Sequence, residues 1–588
     1  MGTLEPLSSP PLCPPNACDS STRRLLCDFA VLHKLRSHSV RCGRLNEVVK
    51  RKMPPNVTCD DEVYVDIEFQ REKDVSRDCG CDFETAISYA GTGKFQKVLL
   101  AVSGVIYATC AISSTTLSFV LPSAECDFSL SSADKGKLSA VPLLGMLFGC
   151  SIWGSIANSK GRRTAIILAL SMDFLAAFVS SFVQSYVLFA ICRFLNGFGI
   201  IGATSLVFSY LGEFLSVKDR DKYLGKLEIF WNIGVIVLPG VAWCFLNKKA
   251  VQIFDDGSDF SPWRIFVLVC SLPSLLSAIS IYFLPETPKF LISKGQFKAA
   301  KTVFQKIYSC NTARHAESFP IRMLEGEGNN NGMMSSKASM SDQNQFTESV
   351  SKFCGSVKHL VYEQYFKYLT ITCLADFGLM ASYYTLVMWF PEIFDRFSQY
   401  HQRFPDDHSA ISVCVVSQAN FSSNIVDQSA MNTCDPSIAN NVFFDTLIIG
   451  LSCIPTSVSL SYFMYKVGKK SVLVFSLILS GISTLSLNWV SSVGQTLALS
   501  CIFEALTSIL EAILFCVVVD LFPTSLRAIA LTTTATCGRM GAIFGNLIFG
   551  ALLDLNCVVP IYLFGIMLIV SGLLCVALPR NENYITLK

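Results

Sequence analysis

The sequence predicts an all-α membrane protein with twelve transmembrane helices in two pseudo-symmetric six-helix bundles, and three observations support this prediction. Hydrophobic residues make up 51% of the 588 residues and charged residues only 16%, against about one quarter charged in soluble domains. Twelve apolar stretches are each long enough to cross a bilayer, which needs about 20 residues per helix. Short basic turns also recur at equivalent positions of the two halves.

The apolar stretches divide the chain into an N-terminal bundle at residues 94–284 and a C-terminal bundle at residues 367–579. A central cytoplasmic loop at residues 285–366 separates them. The predicted limits of the twelve spans are 97–122, 138–157, 164–183, 186–211, 226–246, 264–284, 367–390, 442–465, 471–490, 496–519, 528–553 and 559–578.

Lys and Arg in the short loops predict the orientation, because positively charged segments resist translocation. The loops after the second, fourth, eighth and tenth spans are basic. The loops at residues 184–185, 491–495 and 554–558 carry neither Lys nor Arg. Both termini are therefore expected in the cytoplasm, and the basic loops define the predicted inner side.

The segments outside the bundles are polar. Residues 1–93 mix both charges and lack the apolar core of a signal peptide, which predicts a largely disordered cytoplasmic tail able to bind vesicle or cytosolic proteins. Residues 580–588 form a short cytoplasmic C-terminal tail. In the central loop, residues 288–308 alternate apolar positions at helical spacing with lysines. This pattern predicts an amphipathic helix on the inner membrane face.

The long loop at residues 391–441 is predicted on the luminal or extracellular side. It contains the sequon that begins at Asn420, which we expect to be glycosylated. It also contains Cys414 and Cys434. In an oxidising compartment these cysteines form a disulfide or remain two free thiols, and the sequence leaves both alternatives open.

Charged side chains inside the spans are candidates for function. Each costs about 2.5 to 3.5 kcal/mol near the bilayer centre on insertion scales, so it normally faces water or a partner. Glu504 and Glu511 are seven residues apart, a spacing that returns close to the same helix face, so we expect them to be stacked along one path. The charged residues within or near the ends of spans are Asp173, Arg193, Glu213, Glu228, Asp376, Glu504, Glu511 and Arg539.

Two interpretations stay open for Asp376, Glu504 and Glu511. They form a pathway for a cationic solute group or a proton, or they pair with Arg539 or bond to a neighbouring helix as neutral carboxyls. Arg193 and Arg539 are expected in structural or gating ion pairs rather than as ligands.

Two segments repeat between the halves. Residues 154–163 contain Gly-Arg-Arg after the second span, and residues 465–470 contain Gly-Lys-Lys after the eighth. Residues 213–220 and 520–527 correspond after the fourth and tenth spans. The first pair resembles the inner-loop motif of the major facilitator superfamily. This resemblance implies a latch at the inner gate formed by Lys160, Arg162, Arg163 and Glu213.

Further runs are Phe119-Val-Leu-Pro-Ser-Ala-Glu125, Pro285-Glu-Thr-Pro-Lys289 and Trp389-Phe-Pro391. They resemble the synaptic vesicle glycoprotein 2 family. The resemblance implies that Trp231, Tyr383 and Tyr384 lie around a central cavity, where they can contact an organic ligand by stacking or cation–π attraction.

One departure from that family limits what is carried over. Cys110 and Ser113 stand where the vesicle glycoproteins carry two acidic residues in the first span, whereas Glu511 is an added acid in the tenth. The family's substrate and coupling are therefore not transferred to this chain.

The sequence therefore predicts a secondary active transporter of a small organic solute, cationic or zwitterionic, by alternating access, with proton coupling left open. The alternative is a weakly transporting or non-transporting vesicle-membrane glycoprotein that acts through partner binding. No nucleophile and base arrangement, phosphate loop or metal signature predicts an enzyme, a cofactor or a metal site. The net charge of +2 gives no basis for nucleic-acid binding. The plasma membrane and an intracellular vesicle membrane both remain open as locations.

Overall fold

The computed structural model describes residues 81–247, 261–321, 324, 365–403, 437–490, 492–556 and 558–579. The chain divides into two compact units. The smaller combines Met1–Gly91 with Ile292–Ala338, and the larger combines Thr92–Leu291 with Ser339–Lys588. Both predicted six-helix bundles lie within the larger unit.

Among its described residues, the larger unit contains twelve helices that are long and apolar enough to cross a membrane, which confirms the predicted fold class. In chain order they are α1 Lys94–Ser123, α2 Ser132–Lys160, α3 Arg162–Ser180, α4 Tyr186–Gly212, α5 Val217–Leu246, α6 Pro262–Tyr282, α7 Phe366–Tyr400, α8 Asn440–Leu460, α9 Lys469–Ser486, α10 Val493–Leu521, α11 Ile529–Asn556 and α12 Val558–Val576.

The end of α7 differs most from the prediction. The sequence predicts that this span ends at residue 390, but the apolar span extends to Tyr400 and the helix itself to Arg403. Glu392, Asp395 and Arg396 lower the hydropathy after residue 390, and this charge suggests a loop. In the fold both carboxylates are buried and Arg396 is paired with Glu392, so the helix continues through them.

Glycines allow the helices to approach closely. A Cβ built on Gly145 of α2 would lie 2.1 Å from a backbone oxygen of α4, and one on Gly541 of α11 would lie 2.2 Å from a backbone oxygen of α7. Between the halves, a Cβ on Gly136 of α2 would lie 2.9 Å from the Cα of Gly550 in α11. Small residues at these crossings let van der Waals packing hold helices together where no hydrophobic force acts between them in lipid.

The basic turns predicted as a repeat have the same conformation in both halves. Gly161 before α3 has φ 100° and Gly468 before α9 has φ 92°, a region that disfavours residues with a Cβ. Two residues later, Arg163 Nη2 donates to the carbonyl of the last residue of α6 over 2.6 Å. Lys470 Nζ donates to the carbonyl of the last residue of α12 over 2.8 Å. The predicted repeat is therefore reproduced at the level of single hydrogen bonds.

The amphipathic segment of the central loop forms a helix at Phe297–Thr312 in the smaller unit. Its apolar side chains are buried against protein rather than laid on lipid. The ring of Phe304 lies 6.1 Å from that of Phe83 and 6.2 Å from that of Phe319, centroid to centroid. Periodicity identified this apolar face but not the protein surface that covers it, and a position of the helix on the inner membrane face stays a prediction.

The N-terminal tail also departs from the prediction near its end. Residues predicted as disordered up to residue 93 include a helix at Phe83–Ala90. Asp82 caps this helix by accepting a hydrogen bond from Phe83 N over 2.7 Å. Asn311 Nδ2 donates to the carbonyl of Gly91 over 2.7 Å and ties its end to the central loop. Such a short helix gains its stability from these distant partners, which local sequence does not reveal.

Candidate functional site

A cavity of about 490 Å³ lies between the two halves of the larger unit. This volume falls within the range of about 300 to 1,000 Å³ typical of small-molecule sites. Its lining residues on α4 and α10, within 200–208 and 507–515, lie toward the helix ends that lead into predicted inner loops. The lining includes Tyr107, Met146, Cys150, Thr204, Phe208, Glu228, Trp231, Met380, Tyr383, Tyr384, Ser508, Glu511, Phe515, Thr536 and Arg539.

The N-terminal half contributes an aromatic wall with one carboxylate. The ring of Tyr107 lies 5.0 Å from that of Phe208 and 5.1 Å from that of Trp231. The Tyr107 hydroxyl donates to Glu228 Oε2 over 3.3 Å. The partner in this contact is a neutral hydroxyl rather than a cation. The wall therefore combines ring faces with a carboxyl group, two features suited to an organic cation.

The C-terminal half contributes a tyrosine pair and an ion pair. Arg539 Nη1 donates to the Tyr384 hydroxyl over 2.6 Å. Arg539 Nη2 lies 3.6 Å from Glu511 Oε1, a salt bridge too long for a hydrogen bond. The rings of Tyr383 and Tyr384 are 5.3 Å apart. Arg539 is therefore held firmly by Tyr384 and only loosely by Glu511, so an incoming ligand can compete for the Glu511 carboxylate.

The structure thus brings five predicted site residues together around one cavity: Trp231, Tyr383, Tyr384, Glu511 and Arg539. It adds Tyr107 and Glu228. Glu228 was among the charged candidates from the sequence, near the predicted inner end of its span, but no role in a solute pathway was predicted for it. Tyr107 stood among many aromatic residues and carried no distinguishing signal.

Asp376 lies outside the cavity lining. Its side chain is fully buried, and neither carboxylate oxygen has a hydrogen-bond partner. A Cβ on Gly538 of α11 would lie 2.3 Å from Asp376 Oδ2, so the glycine backbone packs directly against the carboxyl group. The predicted role of Asp376 in a solute or proton pathway stays a prediction.

Glu504 and Glu511 do not line the same cavity, although both lie on α10. Glu504 lines a second, smaller cavity of about 40 Å³ together with Ser118 of α1 and Phe390 of α7. Glu504 is only 2% exposed and its Oε2 atom has no hydrogen-bond partner. The two carboxylates therefore line separate cavities, and their stacking along one path stays a prediction.

Asp173 and Arg193 have structural surroundings. Asp173 accepts hydrogen bonds from Ser113, Asn196 and Ser274 over 2.8, 2.5 and 2.5 Å, which joins α1, α3, α4 and α6. In the part of the chain that the structure describes, Arg193 has no carboxylate within salt-bridge distance. Its guanidinium lies over the Phe189 ring, 4.9 Å from the centroid. The ion pair expected at Arg193 is therefore absent from this conformation, because its nearest partner is an aromatic face.

The inner-loop motif forms one ion pair in each half. Arg162 Nε lies 3.2 Å from Glu213 Oε1, and Lys469 Nζ lies 2.7 Å from Asp520 Oδ2. Each pair stays within its own half and joins the start of one helix to the end of another. Lys160 is exposed. A role for these residues in gating stays a prediction.

The long outer loop is only partly described. Asn420, Cys414 and Cys434 lie outside the described residues, so the glycan and the disulfide stay predictions. Cys126, in the turn before α2, is disulfide-bonded. This residue was not among the cysteines singled out from the sequence. Among residues with described positions, no group of three or more His, Cys, Asp or Glu side chains is arranged to hold a metal ion.

Two six-helix halves around a shared cavity have the architecture of a membrane transporter of the major facilitator superfamily. Residues 446–586 match the Major Facilitator Superfamily, and residues 99–401 match the sugar (and other) transporter family. The chain belongs to the sugar (and other) transporter family and is an integral multi-pass membrane protein.

The curated relatives confirm the resemblance identified from short runs. The chain is 25% identical to synaptic vesicle glycoprotein 2C of Mus musculus over 611 residues, covering 88% of this chain and 83% of the relative. It is 25% identical to synaptic vesicle glycoprotein 2B of Homo sapiens over 588 residues, 86% of each chain. Identity reaches 37% with synaptic vesicle glycoprotein 2A of Rattus norvegicus over 259 residues, 44% of this chain and 34% of the relative.

Solved structures with the same fold include the xylose transporter XylE from E. coli. Its inward open conformation matches with a TM-score of 0.59 at 16% identity, covering 83% of this chain and 98% of that chain. Its partially occluded inward open conformation matches with a TM-score of 0.57 at 16% identity, covering 83% and 100%. At this level of identity the likeness concerns the fold alone.

Proposed function

We propose that this protein is a secondary active transporter that moves a small organic solute with a cationic group by alternating access, coupled to protons. The observation that carries the proposal is the cavity of about 490 Å³ between the two halves, where carboxylates face aromatic rings. Membership of a transporter family supports transport as the class of function. A structural neighbour described as a D-xylose-proton symporter supports proton coupling on this fold.

The charge of the lining favours a cationic solute. Its ionisable acids and bases include Glu228, Glu511 and Arg539, whose formal charges sum to −1. The Arg539 guanidinium lies near Glu511, so Glu228 is the carboxylate available to a solute ammonium group. Tyr107 and Trp231 beside it supply ring faces for cation–π contact. A zwitterion would add a carboxylate that Arg539 can bind.

The position of the cavity is consistent with alternating access. Both halves contribute to its wall, so rocking one half against the other changes its exposure from one side of the membrane to the other. The cavity lies toward the predicted inner ends of the helices. Relatives in fold were solved in inward open states, which supports interpreting this conformation as the inward-facing one.

Uptake by the purified protein in proteoliposomes tests the proposal. The panel contains choline as a cation, carnitine as a zwitterion and xylose as a neutral sugar, each with and without a pH gradient. We expect gradient-dependent uptake of choline or carnitine. Glu228→Gln should lower it at least about tenfold, because removing a charge partner in a desolvated site costs more than 1.4 kcal/mol. Asp134→Asn, at an exposed ion pair on α2, is the matched control and should transport normally.

The alternative is a vesicle-membrane glycoprotein that acts mainly by binding partners. Its relatives are synaptic vesicle glycoproteins, which favours this alternative, as does the absence of acids at Cys110 and Ser113 of α1. Folded protein without uptake of any member of the panel would support this alternative against transport. Uptake of xylose alone, unchanged in Glu228→Gln, would retain transport but reject a cationic solute.

A further inference from the structure

A buried group of charges lies at the outer end of the molecule, away from the cavity. Lys135, in the first turn of α2, is 1% exposed in its side chain. Its Nζ atom lies 2.8 Å from Glu125 Oε2 in the same half. It also lies 2.8 Å from Glu392 Oε1 on α7 in the other half. One ammonium group therefore joins both halves.

Arg396 extends this group by one helical turn along α7. Its Nε atom donates to Glu392 Oε1 over 2.9 Å, and its Nη1 atom donates to Asp554 Oδ1 of α11 over 3.0 Å. Its Nη2 atom donates to Ser132 Oγ of α2 over 2.9 Å. We call Glu125, Ser132, Lys135, Glu392, Arg396 and Asp554 the outer charge cluster.

Backbone contacts also join the two halves at the end of the molecule that carries the outer charge cluster. The close approach of α2 and α11 at Gly136 and Gly550 follows directly after Lys135. On the other side, Ile438 N donates to the Leu246 carbonyl over 3.0 Å. This bond joins the end of α5 to the residues that lead into α8. By contrast, the motif ion pairs at the inner end of α2 and α8 each stay within one half.

The two cations differ in which contacts survive separation of the halves. If the outer end opens, Lys135 loses Glu392 but keeps Glu125, which is 49% exposed. Arg396 loses Ser132 but keeps Glu392 and Asp554. Breaking a buried salt bridge is costly when it leaves one charge unpaired in a low-dielectric site. Here each cation of the cluster keeps a carboxylate partner, so the halves can separate without that cost.

We infer that Glu392 is the central residue of an outer gate, which holds the outer end closed through Lys135 and must release it in each transport cycle. This inference rests on the proposed alternating-access function. It assigns Glu392, Lys135 and Arg396 as gating residues, separate from the residues that contact the solute.

Hydrogen–deuterium exchange of the full-length protein in nanodiscs, without solute, tests the gate independently of any transport result. In Glu392→Gln we expect exchange at the outer ends of α2 and α11, residues 132–145 and 546–556, to rise at least about tenfold as the open population grows. Ser132→Ala removes the hydrogen bond that Arg396 donates across the halves, so exchange at the same residues should rise by a smaller factor. This variant keeps the test valid if Glu392→Gln folds poorly.

Two further variants separate gating from general stability. Glu125→Gln removes the partner that Lys135 keeps when the gate opens, so exchange at the outer ends should stay at or below that of the native protein. Lys137→Gln, at an exposed lysine two residues from Lys135, should change nothing. Unchanged exchange in folded Glu392→Gln and Ser132→Ala, or an equal rise in Lys137→Gln, would overturn the inference.

Discussion

At the scale of single residues, the two carboxylates of α10 have different surroundings. Glu511 lies in the large cavity beside Arg539. Glu504 lies in the small cavity, almost fully buried and with an unpartnered oxygen. A buried carboxyl without a cation is suited to carrying a proton, because its charged form is poorly solvated there. These surroundings suggest separate roles, with Glu511 near the solute and Glu504 near the coupling proton.

We predict that Glu504→Gln uncouples the two roles. Glutamine keeps the shape of the side chain but cannot titrate, so accumulation driven by a pH gradient should fall at least about tenfold. Exchange of labelled for unlabelled solute across the same proteoliposomes needs no net proton movement and should persist. The measurement is the ratio of accumulation to exchange. Glu511→Gln should lose both, and a native ratio in Glu504→Gln would contradict the prediction.

At the scale of helices, α7 and α11 are packed so closely that their contact depends on glycine. Cβ atoms built on Gly541 and Gly545 would lie 2.2 and 2.5 Å from backbone oxygens of α7. At Gly538 the neighbour is the Asp376 carboxyl, at 2.3 Å. Because α7 also carries Tyr383 and Tyr384, this packing determines the position of one wall of the cavity.

Gly538→Ala should therefore destabilise the protein by about 1 to 3 kcal/mol, the usual cost of overpacking a tight core. Asp376 is fully buried, so the added methyl group forces its carboxyl or the neighbouring helix to shift. Gly240→Ala is the matched control, since a Cβ at that helical position has no neighbour within 4 Å. Thermal unfolding in detergent measures both. Equal unfolding temperatures for the two variants would show that the α7–α11 contact tolerates a methyl group.

At the scale of the whole molecule, the repeat relates the two halves in detail. Arg162 with Glu213 and Lys469 with Asp520 occupy equivalent places. The outer charge cluster has no such symmetry, because Glu392 serves cations from both halves. In the described part of the chain, these ion pairs therefore lie within each half at the predicted inner end and between the halves at the predicted outer end.

The orientation of the molecule remains a prediction from Lys and Arg in the loops. Epitope tags at either terminus should be protected in intact cells and exposed after permeabilisation. Glycosidase treatment should shift the native protein on a gel but not Asn420→Gln. The sequon at Asn56, in the predicted cytoplasmic tail, should carry no glycan. A C-terminal tag stained on intact cells, or a glycan on Asn56, would contradict this topology.

Much of the fold follows from local sequence. A run of about 20 apolar residues predicts each span. Short basic motifs predict the turns at Gly161 and Gly468. The twelve helices and the repeat could therefore be predicted before any packing was known. The aromatic residues Trp231, Tyr383 and Tyr384 were placed at the cavity by resemblance, and the structure places them in its wall.

Only the tertiary structure decided which charged side chains line the same cavity or pair with one another. Glu504 and Glu511 line separate cavities, and the packing of α1 on α5 brings Tyr107 to Glu228. Lys135 and Glu392, 257 residues apart in the chain, were assigned from hydropathy to separate loops. Charge lowers hydropathy whether it is solvated or paired, so sequence alone cannot distinguish a loop from a buried ion pair. That distinction depends on partners brought from the other half of the chain.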